Sequence, residues 1–485
     1  MAEKPNSIKK NFLFNLMLTL SNVVFPILTF PYVSRILGPV GIGKVQFVSS
    51  FVQYFIFLAA LGVPVYGIRE VAKANGNMVE LKKIFSTLLL LNIFTTIGVS
   101  IIYFVTIYFV TGFREDLIFY VVASIMLLFG FSSIDWFFIG IERFKFIALR
   151  SIVVKVIFIV LLYVSVREKA DVLAYLWIVI GGIVVNNIWN LLLAIKYIDF
   201  RNITLNFFKK HLKPLFYIFA TVVAASVYSS LDVVVLGFLK GFKDVGYYTS
   251  GAKINRMCIP FLTAMGLVLM PQIAQAFREQ NEERIKLLIK ESFEFVILLG
   301  VPMVVGLTVL APEIVLLFSG DQFVPSILTM QITAPVVLII GISTICSVQI
   351  LTPAAKDKEN AIAVICGLVV SVILNFLLIP IYGYLGATIS NVAAEFTVMS
   401  FFVFFAFKVI QVNFDVKLLG RTVLICLFFI PIIYFLRSII GTNKIIIILS
   451  SITLCGLWYV LFQIIIFRNQ FLLKNIIALR DKFNI

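Results

Sequence analysis

Fourteen apolar stretches, each close to the roughly twenty residues an α-helix needs to cross the hydrocarbon core of a bilayer, follow one another through the 485 residues. They lie near Phe12–Tyr32, Val45–Tyr66, Ile84–Val110, Leu117–Ile139, Phe146–Val166, Val172–Ile195, Pro214–Leu239, Tyr247–Ile273, Phe293–Phe318, Pro325–Leu351, Ala361–Ile381, Ala387–Phe407, Leu419–Ile440 and Ile445–Phe467. Within lipid every backbone N–H and C=O must be satisfied internally, so such a pattern predicts an all-α polytopic membrane protein. The 61% hydrophobic content excludes a soluble fold, for which about 45–50% is usual. The first stretch is too long for a signal-peptide core and no small-residue cleavage site follows it, so it is expected to remain as a span.

Charge supplies orientation. The N-terminus, the even-numbered connections and the C-terminus hold 27 of the 40 Lys and Arg, the odd-numbered connections 9. This bias predicts that both termini face the cytoplasm, in a cytoplasmic (inner) membrane. The net charge of +16 then reads as a topology signal and an affinity for anionic membrane lipids, with no nucleic acid implied.

Several chemistries find little support. The five cysteines (Cys258, Cys346, Cys366, Cys426, Cys455) fall inside spans at unrelated spacings, as apolar packing residues would. The single histidine, His211, sits in a connection and favours neither a catalytic triad nor a His-ligated metal. No GxxxxGK[ST] loop is present for ATP-driven transport. The expectation is a non-enzymatic protein without cofactor or metal.

The basic connection Lys196–Lys213 divides the spans after the sixth, which predicts an N-terminal lobe at 1–200, a C-terminal lobe at 201–410 and two additional spans with a tail at 411–485. A weak internal echo fits a duplication: Leu37-Gly38 with Gly41 and Gly43 joins spans one and two, and Leu236-Gly237 with Gly246 joins spans seven and eight.

Charges at membrane depth cost about 2.5–3.5 kcal/mol each on insertion scales, so they face protein or water. Lys253 and Arg256 are three apart in span eight, with Ser250 on the same side; Arg150 and Lys155 are five apart in span five and less closely aligned. One reading is a cationic cavity for an anionic group such as a diphosphate; the other is snorkelling, or pairing with acids. Of the acids, Asp135, Asp232 (four residues after Tyr228) and Glu395 (on a stripe with Thr388 and Asn391) suit ion coupling or pairing with a base, whereas Glu294 reads as structural. Polar stripes of Asn15, Thr19 and Asn22, and of Gln46, Ser49, Ser50 and Gln53, predict interhelical hydrogen bonds or cavity lining. Prolines 26, 64, 260, 302 and 335 interrupt or end spans.

Four segments carry a family likeness: Phe30-Pro31-Tyr32-Val33-Ser34-Arg35-Ile36-Leu37-Gly38 with Gly41 and Gly43; Gly62 with Gly67-Ile68-Arg69-Glu70; Asp135-Trp136-Phe137-Phe138-Ile139-Gly140-Ile141-Glu142; and Val245-Gly246-Tyr247-Tyr248 with Lys253-Ile254. In these the chain resembles the Wzx-type polysaccharide flippases of the multidrug/oligosaccharidyl-lipid/polysaccharide exporter superfamily. The resemblance implies two lobes alternately open to each face that move undecaprenyl-diphosphate-linked oligosaccharide across the cytoplasmic membrane, for capsule, exopolysaccharide or O-antigen assembly. It implies substrate contact at Arg35, Arg150, Lys155, Lys253 and Arg256, a groove for the lipid tail in the last two spans, and work alongside a polysaccharide polymerase and chain-length machinery. The rivals are a multidrug exporter of the same superfamily, which needs acidic groups in its cavity, and a peptidoglycan lipid-precursor flippase.

Overall fold

The computed structural model describes residues 8–200, 211, 212, 215, 219, 230–411 and 415–466. Tyr228 and most of the seventh span, Lys209, Lys210 and Lys213 of the basic connection, and the C-terminal tail lie outside the described residues, as does the side chain of Asn15. The chain forms two compact units, Met1–Gly246 and Tyr247–Ile485.

Helices α1 (Ile8–Ala60), α2 (Val63–Lys73), α3 (Met78–Phe109), α4 (Leu117–Leu128), α5 (Asp135–Gly140), α6 (Phe144–Ser165) and α7 (Val172–Ala194) build the first unit, together with a helical stretch at 230–240. Helix α8 (Phe242–Arg256) begins at its end, and the second unit continues through α9 (Ile259–Arg278), α10 (Glu282–Val309), α11 (Ala311–Phe318), α12 (Ser326–Thr344), α13 (Asp357–Tyr382), α14 (Tyr384–Val409), α15 (Val416–Leu427), α16 (Phe429–Ile440) and α17 (Lys444–Leu461). Asn77, Asn281, Asp415 and Asn443 begin α3, α10, α15 and α17 by accepting hydrogen bonds from backbone N–H groups of the first turn. Among the described residues eleven helices are long and apolar enough to cross a membrane, twelve if one bent pair is a single span. Helix α1, at 53 residues, has the length of two crossings, and the seventh span is described only in part. The expected all-α polytopic fold of about fourteen spans agrees with this.

Breaks depart from the expected boundaries. The connection expected at 33–44 shrinks to one residue, Gly38, whose φ of 66° and ψ of −176° interrupt α1; glycine takes this left-handed φ without a Cβ clash. The second span stops at Ala60, six residues short of Tyr66, because Leu61 and Gly62 both take positive φ and α2 starts anew with Pro64 in its first turn. Span four breaks between α4 and α5, and span nine between α10 and α11 at Leu310. Pro26, Pro302 and Pro335 lie inside helices, whereas Pro64 and Pro260 open them.

The echoing glycine segments pack against each other within the first unit. A Cβ on Gly43 would lie 1.7 Å from the carbonyl oxygen of Phe242, one on Gly246 2.1 Å from that of Pro39, and one on Gly237 2.0 Å from the Phe47 ring. Only glycine allows backbones this close. Lys44 fixes the same region through Asp116 at 2.7 Å.

The Asp-Trp-Phe-Phe-x-Gly segment has a packing reason as well. The Trp136 ring covers Gly67 of α2, Gly140 faces Val71, and Phe137 meets Phe85 and Tyr197. Tyr66, also on α2, lies 2.6 Å from Nδ1 of the buried His211; burial, then the charge of Glu70, pushes its hydroxyl pKa up to about 12, so it stays protonated at neutral pH. This core leaves the preceding residue, Asp135, turned toward α6 and α7.

A cationic cavity in the N-terminal unit

Asp135 opens α5, and three side chains from the flanking helices meet there. Arg150 of α6 donates from Nη2 to Asp135 Oδ1 at 2.9 Å and from Nε to Asn186 Oδ1 of α7 at 3.0 Å. Asn190, one turn beyond Asn186, donates to the same Asp135 oxygen at 2.6 Å. The Arg150 side chain is only 2% exposed, that of Asp135 40%. Nη1 of Arg150 is buried and has no hydrogen-bond partner among the described residues.

Lys155 lies farther along α6 and points to α1. Its Nζ donates to Ser21 Oγ at 2.8 Å and to Asn22 Oδ1, and lies 5.6 Å from the centre of the Phe25 ring. The two groups border one cavity of about 430 Å³, also lined by Thr29, Ser151, Tyr175 and Asn186. Two bases and one acid leave it a net positive charge, and the acid is already held by a guanidinium and an amide. Such a site offers donors to an anion and repels a cation.

The structure brings Arg150, Lys155 and Asp135 together, although five residues along a helix turn the two bases to different sides. Their reach resolves this: one extends toward α5 and α7, the other toward α1. Asn22, from a stripe open to two readings, both bonds across helices and lines the cavity.

The other candidates lie elsewhere. Arg35 is exposed just before Gly38, donates to the Pro31 carbonyl at 2.6 Å and is not among the lining residues. Asp232 is buried in the first unit within electrostatic reach of Tyr54. In the second unit Lys253 is half-buried and Arg256 exposed on α8, while Ser250 of the same helix is buried against Ser319 at 2.6 Å. Asn255 beside them is buried and donates to the Met330 carbonyl and to Thr333. Glu395 is half-buried on α14, whose Thr388 and Asn391 are buried. Glu294 lies 3.7 Å from Lys290, one turn before it.

Sequence reasoning passed over Asn186 and Asn190, although two amides four apart in an apolar span were a signal. It also passed over a second ion pair: Arg437 of α16 grips Glu313 of α11 with both ends of its guanidinium, at 2.6 and 2.7 Å, and donates to the Val309 carbonyl at the break before α11.

Comparison with known proteins now decides the family. A model of the family described as polysaccharide biosynthesis protein matches residues 8–277, more than half of the chain. The chain belongs to this family. A second model, MatE, matches residues 218–377. The chain is 24% identical over 402 residues to a putative O-antigen transporter of Escherichia coli K12, covering 82% of this chain and 96% of that one. It is 22% identical to a probable low-salt glycan biosynthesis flippase of Haloferax volcanii, covering 59% and 60%. In fold it is similar to the lipid II flippase MurJ in an inward closed conformation, with a TM-score of 0.76 at 16% identity, covering 95% and 99%.

Proposed function

We propose that this protein is a flippase that moves undecaprenyl-diphosphate-linked oligosaccharide repeat units across the cytoplasmic membrane for O-antigen, capsule or exopolysaccharide assembly. The observation that carries the reading is the cavity shared by Arg150 and Lys155. A diphosphate or acidic sugar entering it meets Nζ of Lys155 and the edge of Arg150, and competes with Asp135 for the guanidinium. The names of the relatives, an O-antigen transporter and a glycan biosynthesis flippase, support the same cargo class.

Translocation needs no covalent chemistry. Alternating access requires only that cargo bind inward-open and outward-open states differently, and Asp135 supplies a counter-charge that holds Arg150 when the anion leaves. Asp135, Asp232 and Glu395 are the groups through which an ion gradient would couple, and Lys253, Arg256 and Arg35 provide further basic contacts along the path. An apolar cavity of about 290 Å³, lined by α10, α16 and α17 with Pro302, Ile433 and Tyr459, supports a place for the prenyl tail beside the last two spans. Charge bias supports cytoplasmic termini, and the basic connection after the sixth span supports lobes at 1–200 and 201–410 with an added pair of spans; a polymerase and chain-length proteins would act downstream of such an exporter. A multidrug exporter of organic cations is disfavoured by the net positive charge of the cavity.

A deletion strain complemented with the parent gene tests the reading. Parent protein should restore surface polymer; Arg150→Gln/Lys155→Gln and Lys253→Ala/Arg256→Ala should reach the membrane at parental level and leave lipid-linked repeat units on the inner leaflet. Full export by either double variant removes those two residues from the site. Loss of viability on deletion, rather than of polymer alone, would favour a peptidoglycan-precursor flippase.

A further inference from the structure

Arg150 also lines a second, separate cavity on the first unit, of about 410 Å³, bounded by Arg143 and Lys145 at the start of α6, by Leu149 and Val153 on the next turns, and by Trp189 of α7. Its three charged lining groups are all bases. Leu149, Val153 and Trp189 are 46%, 44% and 38% exposed, and they belong to helices long and apolar enough to cross a bilayer. Lys145 is exposed in the first turn of α6.

This arrangement grades from cationic to apolar along α6 and the adjoining end of α7. Arginine and lysine at the end of a span, an indole one turn inside it, and aliphatic side chains open to the surroundings match a ligand with an anionic head and hydrocarbon tails. A soluble anion would leave the apolar wall unused, and a zwitterionic lipid would bring a cation against Arg143 and Lys145, Arg150 being held by Asp135. We propose that this cavity is a binding site for the phosphodiester head group of an anionic glycerophospholipid from the leaflet of the even-numbered connections, its acyl chains lying along Leu149 and Val153. The site shares only Arg150 with the cargo cavity and its test leaves Arg150 in place, so its failure would leave the flippase reading standing.

The test is lipid binding to the purified full-length protein in detergent, read by native mass spectrometry with dioleoyl phosphatidylglycerol and with dioleoyl phosphatidylcholine. Parent protein should favour phosphatidylglycerol. Arg143→Gln/Lys145→Gln should weaken its binding about 10- to 30-fold, at about three- to fivefold per base, while Lys286→Gln/Lys358→Gln, which removes equal charge from exposed positions elsewhere, leaves it unchanged. Lys145→Gln alone, at an exposed position, gives the same direction if the double variant folds poorly. Equal affinity for the two lipids, parental binding by Arg143→Gln/Lys145→Gln, or displacement of phosphatidylglycerol by equimolar undecaprenyl diphosphate or inorganic phosphate would overturn the assignment.

Discussion

Neutralising the two ends of the Asp135–Arg150 pair should have unequal consequences. Asp135→Asn keeps the shape of the side chain and strands a guanidinium that is 2% exposed; leaving one buried charge of a broken pair uncompensated costs about 3–5 kcal/mol. Arg150→Gln strands instead a carboxylate that is 40% exposed and still receives Asn190 at 2.6 Å. That carboxylate opens onto the cavity and keeps the Asn190 amide, so the loss should stay near the ~1.5–3 kcal/mol of a charge-assisted hydrogen bond. Asp135→Asn/Arg150→Gln, with no charge left to strand, should be more stable than Asp135→Asn alone. Thermal unfolding of the purified protein in detergent orders the three: Asp135→Asn melts lowest, by several degrees. If Arg150→Gln melts as low as Asp135→Asn, or the double variant melts lowest, the burial argument is wrong.

Three other outcomes rest on separate features. Gly43→Ala, whose Cβ would sit 1.7 Å from the Phe242 carbonyl oxygen, should cost about 1–3 kcal/mol through overpacking, whereas Gly98→Ala, with open space around it, should melt with the parent. Arg437→Met should destabilise by about 3–5 kcal/mol by leaving a 10%-exposed Glu313 unpaired, and Arg437→Lys, which keeps the charge and loses the two-pronged geometry, should cost less; equal losses would mean that the pair contributes little. Asp171, between spans five and six, accepts from the N–H groups of Arg167 and Glu168, both at 2.8 Å, which hold its carboxyl below the usual carboxylate range. Its contribution is present above the unfolded pKa and lost as pH falls through the lower folded one, so Asp171→Asn should melt slightly below the parent at neutral pH and the difference should close below about pH 4, where the parent's own acid limb falls.

Which parts of this were legible in the sequence follows from the range of each signal. Hydropathy sums over about twenty residues, and the spans from Ile84 to Phe467 therefore lie close to where composition placed them wherever they are described. One-residue events escape such a sum: Gly38 replaced a whole connection, and Leu61-Gly62 ended span two early. The glycine echo was visible as a pattern, but only the fold shows its two copies in contact. Arg150 and Lys155 stood out because a base in an apolar span is rare. Asn186 and Asn190 were as readable and were hidden by attention to full charges. The Arg437–Glu313 pair could not be read, since 124 residues separate its members and Glu313 sits at a helix break that hydropathy smooths over.

The central claim is that this chain itself carries a lipid-linked anionic glycan through a cationic path. Purified protein reconstituted into liposomes with a fluorescent undecaprenyl-diphosphate oligosaccharide in one leaflet measures this directly, by the rate at which the label becomes accessible to a membrane-impermeant quencher. The parent should accelerate exchange well above empty liposomes, and Arg150→Gln/Lys155→Gln, reconstituted at equal density, should return it to the empty-liposome rate. Exchange by the parent no faster than in protein-free liposomes, or undiminished exchange by the double variant, would contradict the account.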